Sequence, residues 1–438
     1  MQRFRSITAG GGVIMGRTTF DSIPEEHRPL KGRLNVVLTR SSADLMSATP
    51  DPNIIFVSSF DELDAVVGQH DHLSWHVIGG VSVYQHFLEK RSVTSMYVTF
   101  VEGSLECDTF FPHQFLSHFE ITRASALMSD TTSGMSYRFV DYTRITSESD
   151  ERMYLNLMQD ILTTGHSRDD RTTMGTLAVF GRQLKFDLTN GKLPMVTTRF
   201  TSFRMVLLEL LWFMKGSTDT RELSVQGIKI WDGNTTRDFL DARGLTDLPT
   251  GDMGAGYGFQ WRHFGATYGT CHDDYTGHGV DQLNEVVRLI KEDPHSRRIC
   301  MTGWNPAALG RMALPPCHSC FIQFYVDQGH LSCHMYQRSV DCFLGLAANI
   351  PSYALLTNIL ATKCGLLPKE LIISTGDTHV YSNHVEQVTL QLSRPPLPPP
   401  MVRVSPVVKD KDWAELNEAD FELIGYMHHP SIRAHMSV

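Results

Sequence analysis

The stretch "ALPPCHSCFIQFYV", residues 313–326, places two cysteines three residues apart, with His318 directly after the first. A Cys-x-x-Cys pair is typical of a redox motif or of half a zinc site. A zinc site needs two more ligands nearby, and this chain has no second Cys-x-x-Cys. A redox pair would suit a thioredoxin-like context, which the sequence lacks. The third possibility is that one of the two cysteines attacks a substrate, and the rest of the chain has to decide between them.

The segments around this stretch predict a domain of mixed helices and strands. "CFIQFYV" and "HLSCHMYQRS", joined by "DQG", predict a β-hairpin. Upstream, "RMYLNLMQDIL" and "TSFRMVLLELLWFMKG" (201–216) have the apolar spacing of helices, and Gly216 is suited to end the second. Downstream, "IPSYALLTNILATKCG" predicts a largely apolar helix that ends at Gly365.

The first third of the chain alternates short β-branched runs with helical segments. The strand-like runs are "GVIMGRTTF", "RLNVVLTRS", "NIIFVSS" and "SWHVIGG", and the helical segments are "FDELDAVVGQH" and "SVYQHFLEK". This alternation predicts a mainly parallel α/β sheet, followed by late strands in "MYVTFVEG" and "SYRFVDYTRI". The polar segment "TSESDE" then predicts a linker. We therefore expect domains at 1–145 and 152–438, with a linker at 146–151.

Composition narrows the class of protein. The 438 residues are 42% hydrophobic and 20% charged, an ordinary globular balance. The net charge of −9 argues against DNA as a partner, and we expect at most incidental RNA binding. No apolar run is long enough for a bilayer, and "MQRFRSITAGGG" lacks a secretory signal, so no membrane association is expected. The eight cysteines show no disulfide spacing and predict reduced thiols in the cytosol, although organellar targeting stays open.

In the N-terminal third, glycines and basic residues follow the predicted strands at points suited to phosphate. In this order the motifs "VIMGRTTFDSIP", "RPLKGRLNVVLTRS", "VIGGVSVY" and "MYVTFVEGSLECDTFFP" resemble dihydrofolate reductase. The resemblance implies that this domain uses NADPH. It also implies that Arg33 grips the folate glutamate and that Thr99 lies on the pterin side. The implied NADPH contacts are Gly16, Arg17, Thr18, Thr39, Arg40, Gly79, Gly80, Ser82 and Tyr84.

The start of the chain departs from that family. Reductases begin with a strand, a loop and a helix that carries an acidic residue, and "MQRFRSIT" matches only the remainder of that helix. The resemblance therefore implies an incomplete reductase sheet. On this basis we expect the chain as given to reduce dihydrofolate poorly.

From residue 152 onward, many motifs resemble thymidylate synthase in an unbroken order. They include "DRTTMGTLAVFGRQLKFDL", "ELLWFMKG", "YGFQWRHFGA", "DPHSRRI", "LPPCHSC", "YQRSVDCFLG", "NIPSYALL" and "GDTHVYSNH". Both halves together resemble the bifunctional dihydrofolate reductase–thymidylate synthases of protozoa and plants. The implied activity converts dUMP and 5,10-methylenetetrahydrofolate to dTMP and dihydrofolate. The resemblance also implies an α/β synthase domain whose bent sheet lies at a homodimer interface.

The resemblance assigns roles to individual residues of the synthase half. Cys317 is the expected nucleophile, with Arg338 as the cation beside it, and Cys320 is expected to be a buried packing residue. Glu209 is expected to manage protons at the pyrimidine through water. Asn349 can both donate to and accept from uracil, and Asp341 joins the catalytic set. The implied dUMP contacts are Arg171, Arg297, Arg298, His318, Gln337, Arg338, Ser339, Asp341, Asn349, His379 and Tyr381, with Arg297 and Arg298 supplied by the other subunit. The implied folate contacts are Trp231, Asn234, Tyr257 and Gly345, and no metal is expected.

Two rival functions remain at this point. A relative that hydroxymethylates dCMP would want an acidic residue at position 349, where this chain has asparagine. A degenerate folate-, nucleotide- or RNA-binding homologue is the second rival, because Ala347 and Ala348 stand where the family has Pro-Phe. Loss of that phenylalanine could weaken folate binding by about 1 kcal/mol.

Overall fold

The structure is a computed structural model that describes residues 2–40, 51–103, 106–131, 133–146, 148–169 and 174–434. Arg171, a predicted phosphate contact, lies outside these residues. The chain divides into two compact units. The first comprises residues 1–119 and 125–144, and the second comprises residues 120–124 and 145–438.

The first unit is built on a parallel sheet whose central strand is almost completely apolar. Strands β1 (Gly12–Gly16), β2 (Leu34–Leu38), β3 (Ile54–Val57) and β4 (Trp75–Gly79) pair in the order β3-β2-β1-β4. The side chains of Val13, Ile14 and Met15 in β1 are completely buried, as expected for a parallel strand covered on both faces. The predicted parallel α/β sheet is confirmed.

The remaining elements of this part of the chain are helices beside the parallel strands and a second, antiparallel sheet. That sheet pairs in the order β5-β8-β6, with β7 beside β8. The helices are α1 (Gln2–Thr8), α2 (Arg17–Ser22), α3 (Phe60–Gln69) and α4 (Val81–Glu89), and the strands are β5 (Ser95–Val101), β6 (Phe119–Ala124), β7 (Met128–Ser129) and β8 (Ser136–Arg144).

The second unit contains a mixed six-stranded sheet in the order β11-β12-β13-β14-β10-β9. The predicted hairpin is present as β12 and β13, and its turn places Gln328 at φ 48° and Gly329 at φ 77°. Two successive residues with positive φ are the signature of a tight hairpin turn. The six strands are β9 (His166–Arg168), β10 (Thr176–Asp187), β11 (Cys300–Met301), β12 (Phe321–Asp327), β13 (His330–Asp341) and β14 (Leu367–Tyr381).

Two apolar helices fill the core beside this sheet. One spans Phe203–Lys215 and the other Leu346–Cys364, and both end at a glycine with left-handed φ, Gly216 and Gly365. The predicted helix ends are therefore confirmed. In order, the helices of this unit are α5 (Glu151–Thr164), α6 (Phe203–Lys215), α7 (Arg221–Ser224), α8 (Arg237–Ala242), α9 (Gly258–His263), α10 (Gln282–Glu292), α11 (Leu346–Cys364) and α12 (Val385–Leu392), and a small sheet pairs β15 (Met401–Val404) with β16 (Phe421–Ile424).

One residue of the predicted linker belongs to a helix. Glu151 begins α5 and is buried. Its carboxylate accepts hydrogen bonds from the backbone and hydroxyl groups of Thr197 and Thr198, which compensate for the loss of water. None of the described helices combines the length and apolarity needed to cross a bilayer.

Candidate active site

The first cysteine of the opening motif lies beside an arginine. A terminal nitrogen of the Arg338 guanidinium lies 3.9 Å from Cys317 Sγ, and its Nε donates to the Pro316 carbonyl at 2.8 Å. The backbone N–H of Cys317 donates to the Tyr257 hydroxyl at 3.1 Å, and its carbonyl accepts from the backbone N–H of Arg338 at 2.9 Å. A thiol held beside a cation, in a rigid loop, has the surroundings of a nucleophilic cysteine.

The second cysteine has a different environment. The Cys320 thiol donates to the carbonyls of Pro316 and Cys317, each at 3.5 Å, and its burial raises its pKa. It is half-buried rather than buried, because the strand that it precedes is partly open at this end. Neither Cys317 nor Cys320 forms a disulfide bond.

The buried residue His318 lies in the same loop as Cys317 and contacts two tyrosines. His318 Nδ1 lies 2.7 Å from the Tyr353 hydroxyl, and the ring is 4.7 Å from that of Tyr257. Burial lowers the pKa of His318 to about 3, so its imidazole is neutral at physiological pH. It can orient polar neighbours but supplies no charge.

An acid and an indole meet on the wall of the same site. Trp231 Nε1 donates to Glu209 Oε1 at 2.9 Å, which joins α6 to the segment after α7. Burial raises the pKa of the Glu209 carboxyl to about 7, and the hydrogen bond from Trp231 acts in the opposite direction. A carboxyl that titrates near neutral pH is able both to release and to accept a proton during turnover.

Two amide side chains of this site, Gln337 and Asn349, are joined by a hydrogen bond. Gln337 Nε2 donates to Asn349 Oδ1 at 2.9 Å, which leaves the Asn349 amide nitrogen in an orientation fixed by its neighbour. Gln337 Oε1 is buried and has no hydrogen-bond partner among the described residues. Buried polar atoms are normally satisfied, so an unpaired acceptor here is consistent with a ligand that donates to it.

Other predicted contacts lie at the ends of β13 and β14. Asp341 Oδ1 accepts from the backbone N–H groups of Phe343 and Leu344, and the Ser339 carbonyl accepts from Gln337 Nε2 at 3.3 Å. His379 Nδ1 lies 2.9 Å from Asp377 Oδ1, and its ring meets that of Tyr381 edge-on at 5.3 Å. β13 and β14 are paired in parallel, in a register that places Asp341 directly opposite His379.

The predicted folate contacts lie close to these groups. The Tyr257 ring stacks on Phe213 at 4.9 Å and lies 5.5 Å from Trp231. Asn234 is buried, and its backbone N–H donates to the Trp231 carbonyl. At Gly345 a Cβ atom would lie 3.2 Å from the Asp341 carbonyl oxygen, so a larger residue would crowd the loop.

Two predicted phosphate ligands are placed differently. Arg297 and Arg298 are both exposed, at the end of the segment that leads into β11. The Arg297 carbonyl accepts from Gln323 Nε2, which anchors the backbone at this point. Their role as phosphate ligands stays a prediction.

In the first unit, a cavity of about 760 Å³ lies between β4 and β5. Tyr84 and Thr99, both predicted, line it. Sequence reasoning missed the contribution of α1, whose four lining residues, Arg3, Phe4, Ile7 and Thr8, have the spacing of one helical face. That spacing was a usable signal.

The predicted nucleotide contacts gather at the carboxyl ends of β1 and β4. A Cβ atom on Gly16 would lie 3.8 Å from the Gly80 nitrogen, which shows how closely the two turns approach. Gly79 has φ +140°, and a Cβ there would lie 2.9 Å from Thr19 Oγ1. Glycine is therefore required at this position. Gly16 and Gly80 directly precede helices α2 and α4, whose first turns contain Arg17 with Thr18 and Ser82.

Three other predicted reductase residues vary in their settings. Thr39 is buried and Arg40 is exposed, both just after β2. The Arg33 guanidinium is buried, and it donates to Thr8 Oγ1 and to the carbonyls of Arg5 and Lys31. Burial lowers the pKa of Arg33. These bonds tie α1 to the turn before β2 and hold the residue just behind the cavity wall formed by Thr8.

A cluster of metal-type donors lies outside these sites. Atoms of Asp219, Cys271 and His272 come within 4.8 Å of one another. Arg221 pairs with both oxygens of Asp219 at 2.8 Å and lies 3.2 Å from His272 Nε2. The carboxylate is thus already committed to an arginine.

Comparison with known proteins matches both units. The model of the thymidylate synthase family matches residues 152–438, and that of the dihydrofolate reductase family matches residues 1–144. A bifunctional dihydrofolate reductase-thymidylate synthase 2 of Arabidopsis thaliana is 44% identical over 97% of this chain and 80% of its own. Bifunctional relatives from Glycine max (42%, covering 97% and 87%) and Paramecium tetraurelia (40%, covering 100% and 93%) agree. The chain therefore belongs to the family of bifunctional dihydrofolate reductase–thymidylate synthases.

Proposed function

We propose that Cys317 is the nucleophile of the synthase half and adds to C6 of dUMP. The observation that carries this assignment is the Arg338 guanidinium 3.9 Å from its Sγ, inside a loop fixed by Tyr257. Addition at C6 makes C5 enolate-like, so that C5 can attack the one-carbon unit of methylenetetrahydrofolate. The folate supplies the carbon and a hydride, C5 loses its proton, and elimination of Cys317 releases dTMP and dihydrofolate.

Other residues bind and manage protons. Glu209, with its pKa near neutrality, relays protons at the pyrimidine through water. Asn349 and Gln337 read the uracil edge, and His379 with Tyr381 holds the ribose hydroxyl. An asparagine can donate to O4 and accept from N3–H, which favours uracil over cytosine. The dCMP-hydroxymethylating alternative is therefore not favoured.

The reductase half is NADPH-dependent, and its weak turnover in the chain as given stays a prediction. In our proposal the phosphates of NADPH bind at the adjoining turns after β1 and β4, where backbone N–H groups begin α2 and α4 and Arg17 adds positive charge. Arg40 is suited to a 2′-phosphate. The folate occupies the cavity beside Thr99, and Arg33, just behind the wall formed by Thr8, supplies positive charge toward the folate glutamate.

The synthase sheet also has the features of a homodimer interface. Along β12 and β13, Ile322, Phe324 and Met335 are buried, whereas Phe321, Tyr325 and Tyr336 on the opposite face are 47%, 65% and 40% exposed. An exposed aromatic face on a sheet is typical of a surface that binds another protein chain. We propose that two chains pair through this face and that Arg297 and Arg298 reach the partner's dUMP phosphate.

The test combines activity with subunit mixing. Release of tritium from C5-labelled dUMP should depend on methylenetetrahydrofolate and should vanish in Cys317→Ala. An Arg297→Ala/Arg298→Ala chain should also be inactive alone. Mixing the two inactive chains should restore about a quarter of wild-type activity, because half the dimers would carry one intact site. Failure of the mixture, with both chains folded and dimeric, would refute the shared site.

We also propose a cellular location. The cysteines are free thiols in the structure, which suits a reducing compartment such as the cytosol. A degenerate binding homologue is not favoured, because the relatives named for both activities align over nearly the whole chain.

A further inference from the structure

Arg338 has an aromatic partner that the reaction scheme does not use. The centre of its guanidinium lies 5.1 Å from the ring centroid of Trp304. We propose that Trp304 is a positioning residue, which holds the Arg338 guanidinium against Cys317 through a cation–π contact. This inference rests on the proposed function, because it concerns how the nucleophile is activated.

The indole is tied to the nucleophile loop by backbone contacts. Trp304 N–H donates to Thr302 Oγ1 at 3.1 Å, and the same hydroxyl donates to the Cys320 carbonyl at 2.6 Å. Gly303 N–H donates to the Ser319 carbonyl at 2.7 Å. These bonds fix the backbone of Trp304 beside the loop that carries Cys317.

The other contacts of the guanidinium leave a role for the ring. Nε and one terminal nitrogen of Arg338 donate to the carbonyls of Pro316 and Pro315, at 2.8 and 3.1 Å. These bonds lie in the plane of the guanidinium and fix its edge. The Trp304 ring, with its centroid 5.1 Å from the guanidinium carbon, limits movement of the group on that side and covers the cation from water, which strengthens its effect on a nearby thiol.

A packing role and a cation–π role predict different mutant series. Packing depends on volume, so phenylalanine and leucine at position 304 would behave alike. A cation–π contact needs an aromatic face, so Trp304→Phe should retain most of the effect and Trp304→Leu should lose it. A contribution of ordinary size for such pairs corresponds to about a tenfold change.

The test follows the nucleophile directly and also follows turnover. The rate of Cys317 alkylation by iodoacetamide, measured by peptide mapping from pH 6 to 9, should fall about tenfold at neutral pH in Trp304→Leu and less than about threefold in Trp304→Phe. kcat for dTMP formation should follow the same order. In an Arg338→Gln background, which removes the cation, Trp304→Leu should add little further loss, because the two residues act together.

A second tryptophan provides the matched control. The Trp413 ring contacts Lys363 Nζ at 4.4 Å, near the far end of α11 from Asn349. Trp413→Leu should leave Cys317 alkylation unchanged, with far-UV circular dichroism reporting that all variants fold. Equal alkylation rates in Trp304→Phe and Trp304→Leu, or full additivity with Arg338→Gln, would overturn the inference. A wild-type enzyme without turnover would instead refute the proposed function.

Discussion

The substitution Glu209→Gln is expected to stabilise the synthase unit by an amount that grows with pH. Glu209 is buried, and its folded-state pKa of about 7 lies above its ordinary value of 4.5. Between these values the folded protein holds a proton that the unfolded chain has lost. Because the native state binds more protons in this window, stability falls as pH rises from 4.5 to 7 and is level above that.

The size of the expected stabilisation follows from the difference between the folded-state and ordinary pKa values of Glu209. At about 1.36 kcal/mol per pKa unit, the ionised carboxylate costs the folded state about 3 kcal/mol above pH 7. Glutamine has no charge to desolvate, and its amide oxygen still accepts from Trp231. The gain in the free energy of unfolding should therefore be small near pH 4.5 and approach that value at pH 8, while dTMP formation falls sharply.

The assay is urea unfolding of wild type and variant at pH 5, 6, 7 and 8, followed by tryptophan fluorescence. Glu151→Gln is the matched control, because both oxygens of Glu151 accept bonds from Thr197 and Thr198. Glutamine at position 151 would place its amide N–H donors opposite the N–H and O–H donors of one threonine. The substitution should therefore lower the free energy of unfolding by about 1–3 kcal/mol. A stability gain for Glu209→Gln that does not change with pH would refute the buried-carboxyl argument.

Three further outcomes are expected. Cys317→Ala should abolish dTMP formation while dUMP still binds in calorimetry, whereas Cys320→Ala should keep most activity; equal losses would contradict the assignment. Asn349→Asp should shift the dCMP-to-dUMP ratio of kcat/KM towards dCMP, by roughly a hundredfold for a few kcal/mol of discrimination, and an unchanged ratio would show that this residue does not read the base. Tyr325→Lys should reduce dimerisation in light scattering, with exposed Val225→Lys as control, and unchanged dimers would exclude this face as the interface.

Several features of the fold could be predicted from the sequence because they depend on neighbouring residues. The DQG turn requires two positive φ values, which Gln328 and Gly329 adopt, and Gly216 and Gly365 end their helices in the left-handed region. The apolar runs predicted the parallel strands, since strands covered on both faces are apolar along their length. The family motifs also assign side chains to the two sites, and those assignments stay predictions.

Only the tertiary structure decided how those side chains are paired. Trp231 reaches Glu209, Tyr257 supports the Cys317 backbone from 60 residues away, and Trp304 covers Arg338. The burial that moves the pKa of Glu209 to about 7 is likewise a property of the packed site. The physical reason is range: backbone conformation is set by a few adjacent residues, whereas contacts and desolvation depend on segments that meet only when the chain has folded.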